Sequence, residues 1–199
     1  MLGIQNTHDP RVRRTQHLLQ QAFLDLLMQD SFEAITVKDI AERAMVNRAT
    51  FYAHFEDKFA LLDVTIQSIF QNMLHERLPN RVIKDQADLE YVVLAVCDFL
   101  CQFDGACRKT ERRFEVLVEK EIKALVTELL HTWLAKEGPT RWQPGTTPEL
   151  AATIASWSIY GACMYWSRQT PRTSVDVFAQ ALVPLITKGI FADEARSVM

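Results

Sequence analysis

Three residues at the start of a short predicted helix carry side chains that can read the edges of DNA bases. Arg48 can donate two hydrogen bonds to a guanine, and Ala49 or the methyl group of Thr50 can contact the methyl group of a thymine. A helix that enters the major groove needs short or flexible side chains at its N-terminal end, so that its backbone can approach the bases. The residue types therefore predict direct contacts with double-stranded DNA at this helix end.

Other polar residues flank this helix and suit contacts with phosphates, which position a protein on DNA without selecting a sequence. Each of them also has a plainer role, because a Thr, Tyr or His on a short helix is often a cap or a packing residue. A cluster of terminal arginines is often simply solvated. The predicted phosphate contacts are Thr36, Lys38, Tyr52, His54 and Lys58. Arg13, with Arg11 and Arg14, forms a basic N-terminal run that can reach a phosphate or the minor groove.

Composition and charge exclude several classes of protein. With 48% hydrophobic and 24% charged residues, the chain of 199 residues can bury a sizeable core, which excludes a disordered protein and a disulfide-stapled miniprotein. The formal net charge of -3 argues against a broadly basic nucleic-acid coat. Residues 1–62 carry 7 basic and 8 acidic side chains, so DNA binding there has to depend on the local placement of charge.

The predicted elements are all helices. Apolar residues recur at helical spacing over 11–29, and Thr36 with Asp39 forms a candidate capping box for a short second helix. Asn47 can cap a third helix over 48–54 after a break of two residues, and Asp57 can cap a fourth over 58–78. The second and third helices, joined by a tight turn, make a helix-turn-helix unit.

The segment from Thr36 to Phe55, TVKDIAERAMVNRATFYAHF, followed by EDKFALL, resembles the DNA-binding segment of the TetR/AcrR family of bacterial regulators. The resemblance covers roughly Arg13 to Leu62 and departs from the family at Met45, where glycine is common in the turn. A positive φ at Met45 would cost about 1 kcal/mol. The positions in register are Ile40, Ala41, Ala44, Val46, Thr50, Phe51, Tyr52, His54, Phe55, Lys58 and Leu61.

This resemblance implies a domain organisation and a function. It implies a helix-turn-helix DNA-binding domain over 1–62, with its motif at 36–55, and a helical effector-binding and dimerisation domain over 63–199. It further implies a repressor that binds a palindromic operator as a homodimer and is released by a small-molecule effector. Release would follow if the effector changed the spacing of the two DNA-reading helices, and such coupling must be reciprocal.

Further helices are predicted over 85–104, 110–136, 149–168 and 174–191, with one break allowed in the stretch 110–136. The expected fold is therefore all-α, with about nine helices. Aromatic and other large side chains of this half suit a pocket for an apolar or aromatic effector, although most are equally suited to an ordinary core. The candidate ligand contacts are Phe70, Met73, Tyr91, Asp98, Phe103, Phe114, Trp133 and Tyr160.

The last two predicted helices have apolar residues on two faces, which is more than a single small core needs. This surplus predicts that they pair with their copies in a four-helix bundle, the alternative being a central position in a larger monomeric core. The candidate interface residues are Trp157, Gly161, Met164, Phe178, Leu182 and Leu185.

The remaining features favour no other chemistry. Four cysteines without a C-x-x-C pair indicate reduced thiols in a cytoplasmic protein, although Cys97 and Cys101 share a helical face and leave a redox role open. No phosphate loop, G-x-S-x-G elbow or H-E-x-x-H is present, so no catalytic residue, metal or cofactor is predicted. The longest apolar run has seven residues, too few to span a membrane. A helical enzyme and a protein-binding adaptor remain alternatives.

Overall fold

The computed structural model describes residues 9–78, 82–107, 112–136 and 145–190, the side chains of 103–107 and 112–113 excepted. Eight helices and no strand occur within these ranges, so the all-α expectation is confirmed. The helices are α1 (Pro10–Leu27), α2 (Val37–Arg43), α3 (Arg48–His54), α4 (Lys58–Arg77), α5 (Asp88–Cys107), α6 (Arg112–Leu134), α7 (Pro148–Ser167) and α8 (Val175–Ile190).

The difference from nine helices lies in α6, which runs without the break that the sequence allowed. Buried side chains recur every four residues along it, at Phe114, Val118, Ile122, Val126 and Leu130. Neither Gly nor Pro interrupts this stripe, so nothing in the local sequence ends the helix. The buried face therefore continues through Val126 and Leu130.

The chain divides into two compact units. The first comprises Met1–Ile66 and Asp104–Leu117, and the second comprises Gln67–Phe103 and Val118–Met199. The first unit thus includes a second, later segment of the chain, and the functional boundary expected between residues 62 and 63 stays a prediction. In the first unit α1 packs on α2 and α3 around fully buried side chains, which include Leu19, Phe23, Ile40 and Phe51.

The second unit buries most of α5, whose residues 92–97 are all inaccessible or nearly so. Helices α7 and α8 contact one another, and α7 contributes Ile159 and Cys163 to the core. The Thr127 hydroxyl on α6 donates to the Ser156 hydroxyl oxygen on α7 at 2.7 Å, which satisfies a polar group in this core. None of the described helices is long and apolar enough to cross a membrane.

Candidate nucleic-acid interface

The turn between α2 and α3 has a defined hydrogen-bond pattern. The Val46 N–H donates to the Ala41 carbonyl at 2.9 Å, and the Met45 N–H donates to the Glu42 carbonyl at 3.1 Å. These are the two bonds of a Schellman motif, in which the residue that follows the helix C-cap has left-handed geometry. Met45 occupies that position with φ of 54°. The turn therefore requires the positive φ that the sequence analysis considered at Met45.

The start of α2 is fixed by the capping box that the sequence predicted. The Asp39 N–H donates to the Thr36 hydroxyl oxygen at 3.3 Å, and the Thr36 N–H donates to the Asp39 carboxylate at 2.9 Å. The Thr36 hydroxyl also donates to that carboxylate at 2.6 Å. These bonds from Thr36 lower the pKa of Asp39, because they stabilise its ionised form. The exposed Thr36 side chain thus directs its proton at Asp39.

Helix α3 has one face toward solvent and one face toward the core. Asn47 caps it by accepting from the Thr50 N–H at 2.7 Å, as predicted. Arg48 and Ala49 in the first turn are exposed, whereas Phe51 has no exposed surface. The Thr50 hydroxyl donates to the Asn47 side chain at 3.0 Å, which leaves the Thr50 methyl group for apolar contacts. The three predicted base-reading residues therefore lie together at the exposed N-terminal end of a helix.

The two aromatic polar residues farther along α3 differ in accessibility. Tyr52 is half exposed, and its ring packs edge-on against Phe51 with centroids 5.5 Å apart. His54 is partly buried, and its Nδ1 atom is shielded from solvent without a hydrogen-bond partner. Burial lowers the pKa of His54, so the ring is neutral at pH 7. His54 therefore lacks the positive charge that suits a phosphate contact.

The side chain of Lys58 points back onto its own chain. Its ammonium group donates to the backbone carbonyls of Phe32 at 2.8 Å, Glu33 at 3.1 Å and Ile35 at 2.8 Å. It also stands 4.6 Å above the centre of the Phe32 ring. Because an ammonium group has three donors, these bonds use all of them. In the free protein, the ammonium group that was predicted to contact phosphate therefore binds its own chain.

The remaining cationic candidates lie at the surface. The Lys38 side chain is two-thirds exposed, with its ammonium group 3.7 Å from the Glu42 carboxylate one turn later. Such an exposed pair is weak, so Lys38 can turn to a phosphate at little cost. Arg13 is exposed in the first turns of α1, which Asp9 caps by accepting from the Arg11 N–H at 2.8 Å.

The predicted ligand contacts do not surround one described cavity. Phe70, Trp133 and Tyr160 are buried, Met73 is partly buried and Tyr91 is half exposed. Of these residues, Trp133 lines a described cavity, but that cavity has a volume of about 30 Å³ and so holds little more than one water molecule. A larger groove of about 340 Å³ lies between α7 and α8, lined by none of the eight candidates.

Two ligand candidates have other roles, and a third is not described. Asp98 accepts from the Arg77 guanidinium, through Nε at 2.9 Å and through Nη2, so it forms an ion pair rather than facing a cavity. Phe114 is fully buried in the first unit, with its ring 5.6 Å from that of Phe32. The Phe103 side chain lies outside the described residues. Sequence reasoning missed Arg77, whose only signal was a basic residue near the end of a long helix.

The dimer candidates fall into an exposed and a buried group. Trp157 and Leu185 are 61% and 75% exposed, and Gly161 is exposed with open space around its Cα. Met164 is partly buried. Phe178 stacks on Trp166 with ring centroids 5.7 Å apart, and Leu182 is buried, so these two contribute mainly to packing within the chain. Further exposed apolar residues on the same two helices are Leu150, Ile154, Tyr165 and Val177.

The cysteines of the second unit have different environments. Cys97 and Cys163 are buried, and Cys101 is exposed with the Arg172 guanidinium 3.2 Å from its sulfur. Burial raises the pKa of the Cys101 thiol despite that neighbouring cation, which disfavours the reactive thiolate. No group of three or more metal-ligating side chains occurs among the described residues.

Comparison with known proteins identifies the first unit by sequence. Residues 21–65 match the family model of bacterial regulatory proteins, tetR family. A helix-turn-helix transcriptional regulator of Bacillus subtilis, YxbF, is 35% identical over 91 residues, which cover 43% of this chain and 24% of the relative. The chain spans 24% to 33% of the length of the curated relatives that it matches first.

The likeness to solved structures extends over most of the chain. NalD of Pseudomonas aeruginosa, the secondary repressor of the MexAB-OprM multidrug efflux pump, is 20% identical with a TM-score of 0.59, covering 92% of this chain and 99% of that one. FadR of Thermus thermophilus, solved with lauroyl-CoA, is 16% identical with a TM-score of 0.60, covering 92% and 98%. At these identities the likeness concerns the fold. Residues 21–65 thus resemble the helix-turn-helix of the tetR family of bacterial regulatory proteins in sequence, and most of the chain resembles a solved repressor in fold.

Proposed function

We propose that this protein is a ligand-responsive transcriptional repressor that binds a palindromic operator as a homodimer and leaves it when a small-molecule effector binds. Residues 21–65 match a family of regulatory proteins, and the relative YxbF is a transcriptional regulator. The observation that carries the proposal is the arrangement of α3. Its first turn presents Arg48 and Ala49 to solvent, while Phe51 on the opposite face anchors the helix in the core. A helix held in this way offers its N-terminal side chains to the major groove.

The proposed DNA contacts follow from which groups remain accessible. Arg48, Ala49 and the Thr50 methyl group read bases, whereas Lys38, Tyr52 and Arg13 contact phosphates. The Thr36 hydroxyl and neutral His54 contribute at most a polar contact, since neither supplies charge. With few cations at the surface, binding to non-specific DNA is weak and sensitive to salt.

The proposed homodimer and operator symmetry rest on the apolar residues exposed on α7 and α8. Two copies related by a two-fold axis bury the same patch on each, and their two α3 helices then read two half-sites of inverted sequence. Half-sites are expected at a spacing of one helical turn of DNA or more.

The proposed effector is a small molecule with an apolar or aromatic part that binds in the second unit. Support comes from the aromatic and thioether side chains gathered there, among them Phe70, whose ring lies edge-on to Phe99 at 6.2 Å, and the partly accessible Met73 and Tyr91. Trp133 and Tyr160 are proposed to join them. A structural neighbour from Thermus thermophilus was solved with an acyl-CoA, which makes lauroyl-CoA a reasonable first probe.

The experiment that tests DNA binding is a mobility-shift titration of the protein against the DNA upstream of its own gene and against a scrambled duplex. Arg48→Ala removes the proposed guanine contact and leaves the buried face of α3 intact. We expect it to lower discrimination between the two duplexes by about 1–3 kcal/mol, roughly fivefold to 150-fold in relative affinity.

Lys38→Ala is the matched control, because it removes an exposed cation that is proposed to touch phosphate. It should weaken binding to both duplexes alike and reduce the slope of log K against log salt concentration by about 0.9. Equal losses of discrimination in the two variants would contradict the assignment of α3 as the reading helix. Absence of binding by the unaltered protein, at salt down to about 50 mM, would contradict the proposed function itself.

A further inference from the structure

Lys58 is the first residue of α4, and its side chain turns back onto the connection between α1 and α2. The connection, residues 28–36, belongs to no helix, so its carbonyls need hydrogen-bond partners from elsewhere. Three of them, at Phe32, Glu33 and Ile35, accept from the one ammonium group at 2.8, 3.1 and 2.8 Å. Hydrogen bonds from a charged donor are stronger than those between neutral groups.

The same connection is held on its other side by an aromatic cluster. Phe32 is buried, and its ring lies 6.1 Å from that of Phe23, 5.2 Å from that of Phe59 and 5.6 Å from that of Phe114. The Lys58 ammonium group sits above the face of this ring at 4.6 Å, close enough for a cation–π attraction. The connection is therefore fixed both through its backbone and through one side chain.

A lysine at the first position of a helix is electrostatically unfavourable, because the helix N-terminus carries a partial positive charge. The carbonyls of the connection offset this, and Asp57 offsets it further by capping α4, accepting from the N–H groups of Phe59 and Ala60 at 2.8 Å each. The positive charge of Lys58 is therefore stabilised at the start of α4, from where it joins α4 to the α1–α2 connection.

We propose that Lys58 is a positioning residue of the DNA-binding unit: it clamps the α1–α2 connection, and so sets where α2 begins, instead of contacting DNA. Ile35, whose carbonyl it holds, immediately precedes the Thr36 cap of α2. Displacement of this carbonyl shifts the cap, and the Schellman turn transmits the shift from α2 to α3. This inference rests on the proposed DNA binding for its effect on affinity, but the clamp itself is a property of the free protein.

The conservative variant Lys58→Arg distinguishes a clamp from a phosphate contact. Arginine keeps the positive charge, so a phosphate contact would survive. Its planar guanidinium cannot direct donors at three carbonyls that surround one point, so the clamp would be lost. We expect Lys58→Arg and Lys58→Met to weaken binding to the operator duplex by similar factors, on the order of tenfold, and binding to the scrambled duplex by less, so that discrimination between the two duplexes falls. The salt slope should stay at the value of the unaltered protein, in contrast to Lys38→Ala.

Two measurements on the free protein complete the test. The ammonium group of Lys58 should give a resolved proton–nitrogen NMR signal that exchanges slowly with water, whereas that of exposed Lys38 should be broadened by exchange. Thermal unfolding of both Lys58 variants should have a midpoint lower by roughly 5 °C or more. The NMR measurement needs no variant, so it remains decisive even where a variant fails to fold.

The outcomes separate the two proposals. Fast exchange of the Lys58 ammonium protons, or wild-type affinity of Lys58→Arg together with a smaller salt slope in Lys58→Met, overturns the clamp. Slow exchange and a lowered unfolding midpoint, in a protein that binds no operator, leave the clamp standing and overturn the proposed function.

Discussion

Met45, in the first unit, is the non-glycine residue with a positive φ among the described residues. Its φ of 54° lies in the left-handed region, where a side chain with a Cβ atom is disfavoured by about 1–2 kcal/mol. The side chain is 91% exposed, so it gains nothing from packing that would compensate for this backbone cost. The Schellman turn imposes the geometry, and the sequence meets it with a residue that is poorly suited to it.

Met45→Gly should therefore stabilise the protein. Relief of the left-handed strain exceeds the extra conformational freedom that glycine gives the unfolded chain, and we expect a gain of about 0.5–1 kcal/mol in the free energy of unfolding. Urea denaturation of the two proteins, followed by circular dichroism, measures this difference.

Met28→Gly is the matched control. Met28 is also exposed and also caps a helix, but its φ of -75° is an ordinary right-handed value. Glycine there should lower the free energy of unfolding by about 0.5–1 kcal/mol. A loss of stability in both variants would show that the turn does not strain Met45.

Burial of His54 makes the stability of the first unit depend on pH. Burial lowers its pKa below the ordinary value of 6.5, so in the range between the two values the unfolded chain binds the proton more readily than the folded one. Stability is therefore fully present above about pH 6.5 and declines as the pH falls through the lower, folded-state pKa.

Replacement of His54 by Gln should remove this dependence. The free energy of unfolding of the unaltered protein should fall more between pH 7 and pH 5 than that of His54→Gln. The difference in slope corresponds to the uptake of at most one proton on unfolding. Denaturant titrations at four or five pH values test this. Because the cause is burial, the difference should persist at high salt, and parallel curves for the two proteins would contradict it.

At the scale of the helices, the sequence was most informative where the determinants lie within a few residues. The caps at Thr36, Asn47 and Asp57 were predicted, because each joins a side chain to a backbone N–H two or three residues away. The length of α6 was nearly right, since the predicted range 110–136 compares with Arg112–Leu134. Which side chains of this 23-residue helix are buried depends on the elements that pack against it along its whole length. Side chains spaced four residues apart shift gradually around the helix axis, because one turn takes 3.6 residues.

Interactions between distant residues were the ones that sequence reasoning missed. Lys58 bonds to carbonyls 23 to 26 residues earlier, and Arg77 pairs with Asp98, 21 residues later. An exposed-looking lysine after a capping residue carries no local sign that it will meet three carbonyls. The accessibility of the predicted ligand contacts likewise depends on the tertiary fold, which decides which aromatic side chains fill the core.

At the scale of the whole molecule, the last two described helices expose several large apolar side chains. Ile154, Trp157, Val177 and Leu185 are all at least half exposed on α7 and α8, beside a groove of about 340 Å³. Apolar residues clustered in this way usually mark an interaction surface. Their partner in the proposed function is a second copy of the chain.

Leu185→Glu should convert the proposed dimer into a monomer. Leu185 is 75% exposed, so the charge does not disturb the core of one chain, but in a two-fold interface the two new carboxylates desolvate and repel. Sedimentation equilibrium should then give a mass near 22.9 kDa instead of twice that value.

Val116→Glu provides the control, because Val116 is 55% exposed and lies on α6, outside the α7–α8 surface. It should leave the mass unchanged. A monomeric unaltered protein at micromolar concentration, or a dimeric Leu185→Glu, would rule out this surface as the dimer interface.

The turn from Ala44 to Asn47 also limits how this protein can change in evolution. The N–H groups of Met45 and Val46 bond to carbonyls of α2, and the side chain of Asn47 caps α3. The number of residues in the turn is therefore fixed. One inserted residue would rotate α3 by about 100° about its axis and carry Arg48 away from the position from which it faces solvent. In the proposed function, new operator preferences are therefore accessible through replacement of side chains on α3, whereas an insertion or deletion in this turn is expected to disrupt recognition.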